Sequence, residues 1–376
     1  MKIRCHRPTL AAAFQVVSGV VPSRTPKEIL KNVKLVFGDR SLSKDHAAVL
    51  IGTDQEIGIR YEIADVESDT AGEVLLPTAR FASILREVHD DQIVIEVMED
   101  SICIQAGQSE FRLGVIDPAE FPAVAGFDDV DYVSVPANDL KQMIRRTVFA
   151  TDVESHRYAL GGVLLDRQGE SLTMAATDSR RLAVVRSACT VHGVSDTKNT
   201  EPVVPSKALT LVERSLSEDS DDALIAVHAN DVVIKCGNST IYSRLVEGKF
   251  PRYRDVIPQD SPISIELVTT QFYSAIRQSQ IVTSDESRGV DFSFSEGLLT
   301  LNSRSPEVGQ SKIEMPISFT GESLTITFDP RYVAEFLRVL DAEVQLEMQL
   351  TDSESAVVFR AGDDCTYVVM PLSQDR

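Results

Sequence analysis

The chain has 376 residues, 43% of them hydrophobic, and a formal net charge of −20. This length suggests two or three domains, and the acidic balance argues at first sight against a DNA-binding protein. No apolar run reaches the roughly 18 residues of a membrane span, and the N-terminal MKIRCHRPTL has no signal-peptide core. Five scattered cysteines without a CxxC pair indicate neither a disulfide framework nor a zinc site. We therefore expect a reduced, cytoplasmic protein.

Amphipathic segments recur along the chain with the spacing of helical faces. In the third segment, Leu140, Met143, Ile144 and Val148 fall on one face of a helix. The pattern predicts six helices, over residues 6–20, 78–88, 138–148, 206–216, 270–280 and 331–340. Apolar or alternating runs between them predict strands, namely DQIVIEVME, SICIQAG, ALIAVHA, DVVIKCG, SLTITF, VQLEMQL and AVVFRAG.

These elements repeat three times. Pro77, Pro205 and Pro330 each precede a predicted helix and lie 128 and 125 residues apart, about a third of the chain. Phe-Pro pairs at 121–122 and 250–251 repeat with the same period. Strands, helix, strands, helix, strands in each repeat predict an α+β fold, with two helices on an antiparallel sheet. We place the domains at 1–127, 128–259 and 260–376, with boundaries near 126–129 and 258–261.

The net charge hides an uneven distribution. The six predicted helices contain eleven Lys or Arg and four acidic residues, against 26 basic and 53 acidic residues elsewhere. The pairs Lys207/Arg214 and Arg331/Arg338 are each seven residues apart, which places each pair on one helical stripe. Basic helices at equivalent positions of a repeat predict a surface that follows the phosphates of duplex DNA without reading its sequence.

Four strings resemble the bacterial replicative sliding clamp family, the β subunit of DNA polymerase III: HRYALGGVLLD, ATDSRRLAV, EGKFPRYRDVIP and the C-terminal TYVVMPL. The resemblance covers the whole chain. It implies a DNA clamp fold and a head-to-tail homodimeric ring around duplex DNA. It also implies a non-catalytic processivity factor without metal or cofactor. Its partners would be the α subunit of DNA polymerase III, other polymerases and the clamp loader.

The resemblance also implies a peptide-binding groove between domains two and three, for motifs of the Gln-Leu-x-Leu-Phe kind. Its deep apolar part would comprise Leu160, Thr177, Leu182, Pro251, Val256, Val368 and Met370. Its shallow part would comprise Arg157, Arg180, Tyr332, Val369 and Pro371. Arg181 would hold the loop through a neighbouring acid or backbone carbonyls.

The loop departs from the family string Thr-Asp-Gly-His-Arg-Leu at two positions. Ser179 replaces the glycine, and Arg180 replaces the histidine. Because serine adopts a positive φ less readily than glycine, we expect a slightly altered loop. Arg180 adds a permanent charge at the groove mouth, and Ala159 replaces a larger side chain, which predicts a more open pocket.

Two further sets of residues follow from the resemblance. The DNA-contacting set is Arg24, Arg80, Arg86, Lys141, Arg145, Lys207, Arg214, Arg277 and Arg331. The set at the dimer interface is Phe111 and Leu113 from domain one, with Ile281 and Val282 from domain three.

Two other classes of protein remain open on sequence grounds. One is an enzyme that binds a carboxylate through Arg180, Arg181 and Arg186, and the other is a repeat scaffold whose basic helices have no role. A hydrolase based on Ser179, Asp178 and His156 is disfavoured, because no GxSxG elbow surrounds the serine. No HxH, HExxH, Walker A or GxGxxG motif indicates a metal or nucleotide.

Overall fold

The structure is a computed structural model. It describes residues 1–38, 48–64, 66–152, 154, 158–193, 201–216, 222–259 and 261–372. The chain divides into two compact units. The first unit comprises Met1–Lys141, Cys189–Thr200 and Lys207–Leu245, and the second comprises Gln142–Ala188, Glu201–Ser206 and Val246–Arg376. The middle repeat therefore contributes to both units.

All six predicted helices are present. They are α1 (Arg7–Ser18), α2 (Thr78–Glu87), α3 (Ala137–Arg145), α4 (Ser206–Ser215), α5 (Thr269–Ser279) and α6 (Pro330–Arg338). Helix α3 is shorter than predicted, and Val148 lies in a separate 3-10 turn. At the start of α6, the Asp329 side chain accepts a hydrogen bond from the backbone N–H of Arg331, and Pro330 occupies a first-turn position that needs no donor.

Strands occupy most of the remaining chain. In the first repeat they are β1 (Lys2–His6), β2 (Asn32–Phe37), β3 (Ala48–Thr53), β4 (Ile57–Ile63), β5 (Val66–Ser68), β6 (Gly72–Pro77), β7 (Gln92–Val97), β8 (Ser101–Ala106) and β9 (Ser109–Gly114). In the second they are β10 (Tyr132–Pro136), β11 (Gly162–Gln168), β12 (Ser171–Thr177), β13 (Arg181–Ala188), β14 (Thr190–His192), β15 (Val203–Pro205), β16 (Asp222–Val227), β17 (Asp231–Cys236) and β18 (Ser239–Arg244). In the third they are β19 (Ile263–Val268), β20 (Val290–Ser295), β21 (Leu298–Ser305), β22 (Gly309–Pro316), β23 (Leu324–Phe328), β24 (Gln345–Leu350), β25 (Val357–Ala361) and β26 (Cys365–Val369).

The three repeats share one order of elements. Each runs strand, helix, three or four strands, another strand, helix and a final three-stranded meander. The described strands pair antiparallel in four sheets. The first unit has the sheets β5-β1-β7-β8-β9 and β14-β10-β16-β17-β18-β4-β3-β2-β6. The second unit has β15-β11-β12-β13-β26-β25-β24-β19 and β22-β21-β20-β23. The predicted α+β architecture is confirmed.

Two of these sheets run across the predicted repeat boundaries. In the first unit, β18 at the end of the second repeat pairs with β4 of the first repeat, with Ile241 opposite Ile59. In the second unit, β26 at the end of the third repeat pairs with β13 of the second repeat, with Leu182 opposite Val368. The last strand of one repeat thus completes the sheet of the repeat before it. The equivalent strands left at sheet edges are β9 and β22.

Aromatic side chains fill the cores under the helices. In the first unit, the rings of Phe14 on α1 and Phe81 on α2 meet edge to face, 4.9 Å between centroids. In the second unit, Phe336 on α6 stacks on Tyr367 of β26 at 4.4 Å. Edge-to-face and stacked rings add to the free energy gained by burial. In the described part of the chain, no helix is long and apolar enough to cross a membrane.

A histidine with two carboxylate partners holds the segment at the first predicted boundary. The ring of His228, after β16, contacts Asp231 through Nδ1 at 2.5 Å and Asp129 through Nε2 at 2.8 Å. The hydrogen bond with Asp231 and then that with Asp129 raise the pKa of His228. Because Asp129 precedes β10 and Asp231 begins β17, the imidazole ties the boundary segment to the β16–β17 hairpin, most strongly when it is protonated.

We predict that this stabilisation depends on pH. A histidine whose pKa is raised in the folded state stabilises the protein fully below its pKa in the unfolded chain, about 6.5. This stabilisation is lost as the pH rises through the pKa of the folded state. The variant His228→Gln should therefore lower Tm more at pH 6 than at pH 9. The control His89→Gln, at an exposed histidine, should show no such difference. An equal Tm loss at both pH values in His228→Gln would contradict this role.

Candidate functional site

A tight turn joins β12 to β13 and contains the TDSRR string. Thr177 Oγ1 donates to the carbonyl of Arg181 at 2.6 Å and accepts from the N–H of Ser179 at 3.1 Å. Asp178 Oδ1 accepts from the N–H groups of Arg180 and Arg181 at 2.9 and 3.0 Å. Because both side chains satisfy backbone groups of the turn, Thr-Asp at its start fixes the loop.

Ser179 adopts the left-handed conformation, with φ of 75°, although this conformation costs free energy for a serine. The serine therefore takes up the positive φ that glycine adopts at lower cost. A non-glycine residue at such an angle costs on the order of 1 kcal/mol, which the hydrogen bonds of the turn offset.

The first repeat has a turn of the same design. Thr53 and Asp54 make the equivalent hydrogen bonds, and Gln55, at the position of Ser179, has φ of 83°. The two turns differ in the residues that pack against them. At the position of Leu182 the first repeat has Gly58, where an added Cβ would lie 2.6 Å from Val124. The chain's own Val124 therefore covers the first turn.

Arg181 anchors the second turn from beneath. Its Nε donates to Asp178 Oδ2 at 2.9 Å, its Nη2 donates to the carbonyl of Phe149 at 2.8 Å, and its Nη1 pairs with Glu335 on α6. The guanidinium also lies 4.7 Å from the ring centroid of Tyr332. The predicted role of Arg181 in holding the loop agrees with these contacts, which join the turn to α6.

The charge of Arg181 is neutralised locally. Its side chain is only 8% exposed, and burial alone would lower its pKa. The opposing effects of Tyr367, Glu335 and Asp178 outweigh burial and raise the pKa. A buried cation with two carboxylate partners and a carbonyl is a structural element of the loop, because each of its three nitrogens already donates to a protein acceptor.

The predicted deep part divides into a buried floor and an exposed rim. Leu160, Thr177, Leu182 and Val368 are buried, and Leu182 and Val368 pack in one core cluster with Phe250 and Tyr253. Pro251, Val256 and Met370 are exposed, the last two to 57% and 46%. The structure thus presents large apolar rim residues next to a packed apolar floor, an arrangement typical of a protein-binding patch.

The rim is held in place by polar contacts. The Tyr253 hydroxyl donates to Asp166 at 2.8 Å, and Arg254 pairs with the same carboxylate while lying over the Tyr253 ring. Burial and the bond with Asp166 raise the pKa of Tyr253. These contacts fix the short 3-10 helix Tyr253–Val256 that presents Val256. On the other side, the N–H of Met370 donates to the carbonyl of Arg180 at 2.9 Å.

A cleft of about 740 Å³ opens beside this loop in the second unit. Four predicted shallow-part or rim residues line it: Arg180, Tyr332, Met370 and Pro371. The sequence reasoning missed the rest of its lining, which is Asp285, Glu286, Ser287, Arg288, Gly289, Arg304, Thr327, Asp329 and Leu372. The only sequence signal for these residues is the charged string SDESRG, because the pairing that brings them to Arg180 is long-range.

Other predicted site residues have different surroundings. The prediction of Val369 in the shallow part needs correction, because its side chain is fully buried opposite Arg181. Arg157 and His156 lie outside the described residues. Ala159 is buried next to Gly248, 3.6 Å from the place of an added Cβ there, and a more open pocket at this position stays a prediction.

Several predicted DNA contacts already have protein partners. Lys207 pairs with Asp54 at 2.5 Å, Lys141 donates to the carbonyl of Leu216, and Arg331 binds Asp329 with two nitrogens. The side chains of Arg24, Arg80, Arg86, Arg145, Arg214 and Arg277 are exposed, and Arg86 also pairs with Glu87 at 2.9 Å. Within the described chain no cluster of three acidic, His or Cys residues could hold a metal ion.

Comparison with known proteins decides the family. Models of the DNA polymerase III beta subunit match the chain over residues 1–125 (N-terminal domain), 134–252 (central domain) and 254–373 (C-terminal domain). The chain is 30% identical to the beta sliding clamp of Pseudomonas aeruginosa, over 99% of this chain and all of the relative. The chain belongs to the DNA polymerase III beta subunit family. It is a sliding clamp, a non-catalytic processivity subunit of a DNA polymerase.

Other relatives of this family agree over the full length. The Escherichia coli K12 beta sliding clamp is 28% identical over 99% of this chain and all of that one. The crystal structure of the Bacillus subtilis sliding clamp superposes with a TM-score of 0.89 at 27% identity, covering all of this chain and 99% of that one. A Pseudomonas aeruginosa sliding clamp bound to griselimycin gives a TM-score of 0.89 at 28% identity, covering 99% of both chains. The family membership excludes the enzyme and scaffold alternatives.

We predict that Arg181 is structural and Arg180 is not. Arg181→Ala should reduce the free energy of unfolding by about 3 kcal/mol, because it leaves Asp178 and Glu335 without their cation. The matched control Arg180→Ala, one residue away and exposed, should change it by less than about 0.5 kcal/mol. Urea denaturation followed by circular dichroism measures both. Equal losses for the two variants would contradict the assignment.

Proposed function

We propose that two copies of this chain form a head-to-tail ring that encircles duplex DNA in the cytoplasm. Each copy contributes three clamp domains, 1–127, 128–259 and 260–376, an assignment that the three matched family ranges support. The ring holds DNA by topology, with no sequence-specific contacts. The groove beside the 177–181 turn then tethers the α subunit of DNA polymerase III, other polymerases and the clamp loader.

The observation that carries the ring is the pairing of strands across repeats. Strand β18 completes the sheet that contains β4, and β26 completes the sheet that contains β13. By position in the repeat, β9 corresponds to β18 and β26, whereas β22 corresponds to β4 and β13. Both β9 and β22 end their sheets, and an exposed edge strand is a template for pairing with another chain. Pairing of β9 of one copy with β22 of the next closes a ring.

Apolar side chains at these edges support the same contact. Phe111 and Leu113 are half-buried on β9, whose other residues are exposed. Ile281 is 74% exposed in the 3-10 helix that contains Val282, and this helix follows α5. Covering such residues in a second copy removes apolar surface from water.

The DNA-facing surface is the set of helices. Their exposed arginines, Arg80, Arg86, Arg145, Arg214 and Arg277, provide positive charge in an otherwise acidic chain, and Arg24 adds a loop contact. Arg86, Lys141, Lys207 and Arg331 contribute less than the sequence suggests, because each already has a protein partner. A modest positive field attracts phosphates without gripping a particular sequence.

The groove is a docking site for short linear peptides. Its exposed Val256 and Met370 and its packed floor suit the Leu and Phe anchors of a Gln-Leu-x-Leu-Phe motif. That a related clamp binds griselimycin agrees with a ligand site in this family.

We predict that native mass spectrometry gives twice 41.3 kDa, the mass of one chain. Leu113→Asp and, separately, Ile281→Asp should each give monomers, because a carboxylate would be buried at the interface. The matched control is Val130→Asp, which should remain dimeric. Val130 is 79% exposed and does not lie on β9 or β22. A monomeric wild-type protein would contradict the ring.

We predict a salt-dependent DNA affinity that comes from the helices. Reversing Arg80 and Arg277 to Glu should reduce the slope of log affinity against log salt by about two per chain. Reversing Arg4 and Lys235, which lie on strands, is the control of equal charge change and should leave the slope unaltered. Titration of a labelled duplex at several salt concentrations measures the slope. Equal effects of both pairs would overturn the assignment of DNA binding to the helices.

A further inference from the structure

Two adjacent arginines of the 177–181 turn differ in their partners. Arg181 is buried between Asp178 and Glu335. Arg180 is exposed, and its Nη1 donates to the Tyr332 hydroxyl at 3.3 Å. Within the described residues, no carboxylate pairs with Arg180. The turn therefore presents one exposed guanidinium whose hydrogen-bond partner is the neutral Tyr332 hydroxyl, while Asp178 and Asp329 act on it electrostatically without pairing with it.

Two of the three carboxylates that line the cleft already pair with arginines other than Arg180. Asp329 caps α6 and binds Arg331, with Oδ2 2.6 Å from Nη2. Asp285 lies 3.8 Å from Arg288 and 3.9 Å from Arg331. Among lining residues in the described chain, this leaves Arg180 and Arg304 unpaired, against Glu286 as the one unpaired carboxylate. Among the described lining residues, Arg180 is thus one of two arginines without a carboxylate partner.

We propose that Arg180 makes this clamp select linear peptides with an acidic side chain flanking the apolar anchor. This inference rests on the proposed peptide-binding function of the groove. The cleft continues from Met370 and Pro371, at the groove rim, so a peptide anchored there has its flank beside Arg180. A guanidinium with free N–H groups binds a carboxylate with two parallel hydrogen bonds, which a neutral histidine cannot do. Arg180 is thus a specificity-determining residue.

The test compares three peptides by fluorescence anisotropy. One contains Gln-Leu-Ser-Leu-Phe between glycines, one carries two Asp residues before this motif, and one carries them after it. We expect one acidic peptide to bind the wild-type protein about five- to tenfold more tightly than the neutral peptide. Arg180→Gln should remove this preference, measured as the ratio of the affinity for the acidic peptide to the affinity for the neutral peptide with the same variant. The control Arg338→Gln, at an exposed arginine later on α6 that does not line the cleft, should keep the preference.

A pH series separates charge from shape. Arg180→His should prefer the acidic peptide at pH 5.5 and lose the preference at pH 8, because histidine titrates near 6.5. The wild-type protein should keep its preference at both pH values.

The outcomes distinguish the two proposals. Equal binding of all three peptides to the wild-type protein would overturn the role of Arg180 and leave the groove in place. Failure of every peptide to bind the folded dimer would overturn the proposed groove and this inference with it. A preference that persists in Arg180→Gln would assign selection to another residue and contradict the proposal.

Discussion

The position of the groove depends on the pairing of the last strand of one repeat with the sheet of the preceding repeat. This pairing sets Leu182 opposite Val368 and Arg181 opposite Val369. This register places the C-terminal residues Met370 and Pro371 beside the 177–181 turn. The groove therefore exists only where β26 has joined β13. Because a shift of one residue would turn every side chain to the other face, the buried floor specifies the register.

Similar turns precede β4 and β13, the two strands that pair with the last strand of the next repeat, but their surroundings differ. The Thr-Asp pair and a left-handed third residue recur at 53–55 and 177–179. In the first, Gly58 makes room for Val124, whose carbonyl accepts from Arg60 at 3.3 Å. In the second, Leu182 and Tyr253 form a packed floor and Val256 remains exposed. The same local design thus yields a covered junction in one place and a docking surface in the other.

The sequence predicted the elements well, because their periodicity is local. Six helices, the seven strand segments named from the sequence and the threefold repeat follow from apolar spacing and recurring prolines, whereas most of the other strands were not named individually. The family resemblance located the 177–181 turn and Met370, which the structure brings together. It did not predict the two carboxylates around His228, the burial of Val369, or the extension of the cleft to Asp285 and Arg304. Apart from the contact between His228 and Asp231, which are three residues apart, these features depend on contacts between residues distant in sequence, and no local pattern encodes them.

The claim that β9 and β22 pair between copies can be tested by amide hydrogen exchange over a range of protein concentrations. The account predicts that amides of β9 and β22 are protected at high concentration and lose protection on dilution. Amides of β18 and β26 should stay protected throughout, because their partners lie in the same chain. Fast exchange of the β9 and β22 amides at every concentration would contradict the pairing of these strands between copies.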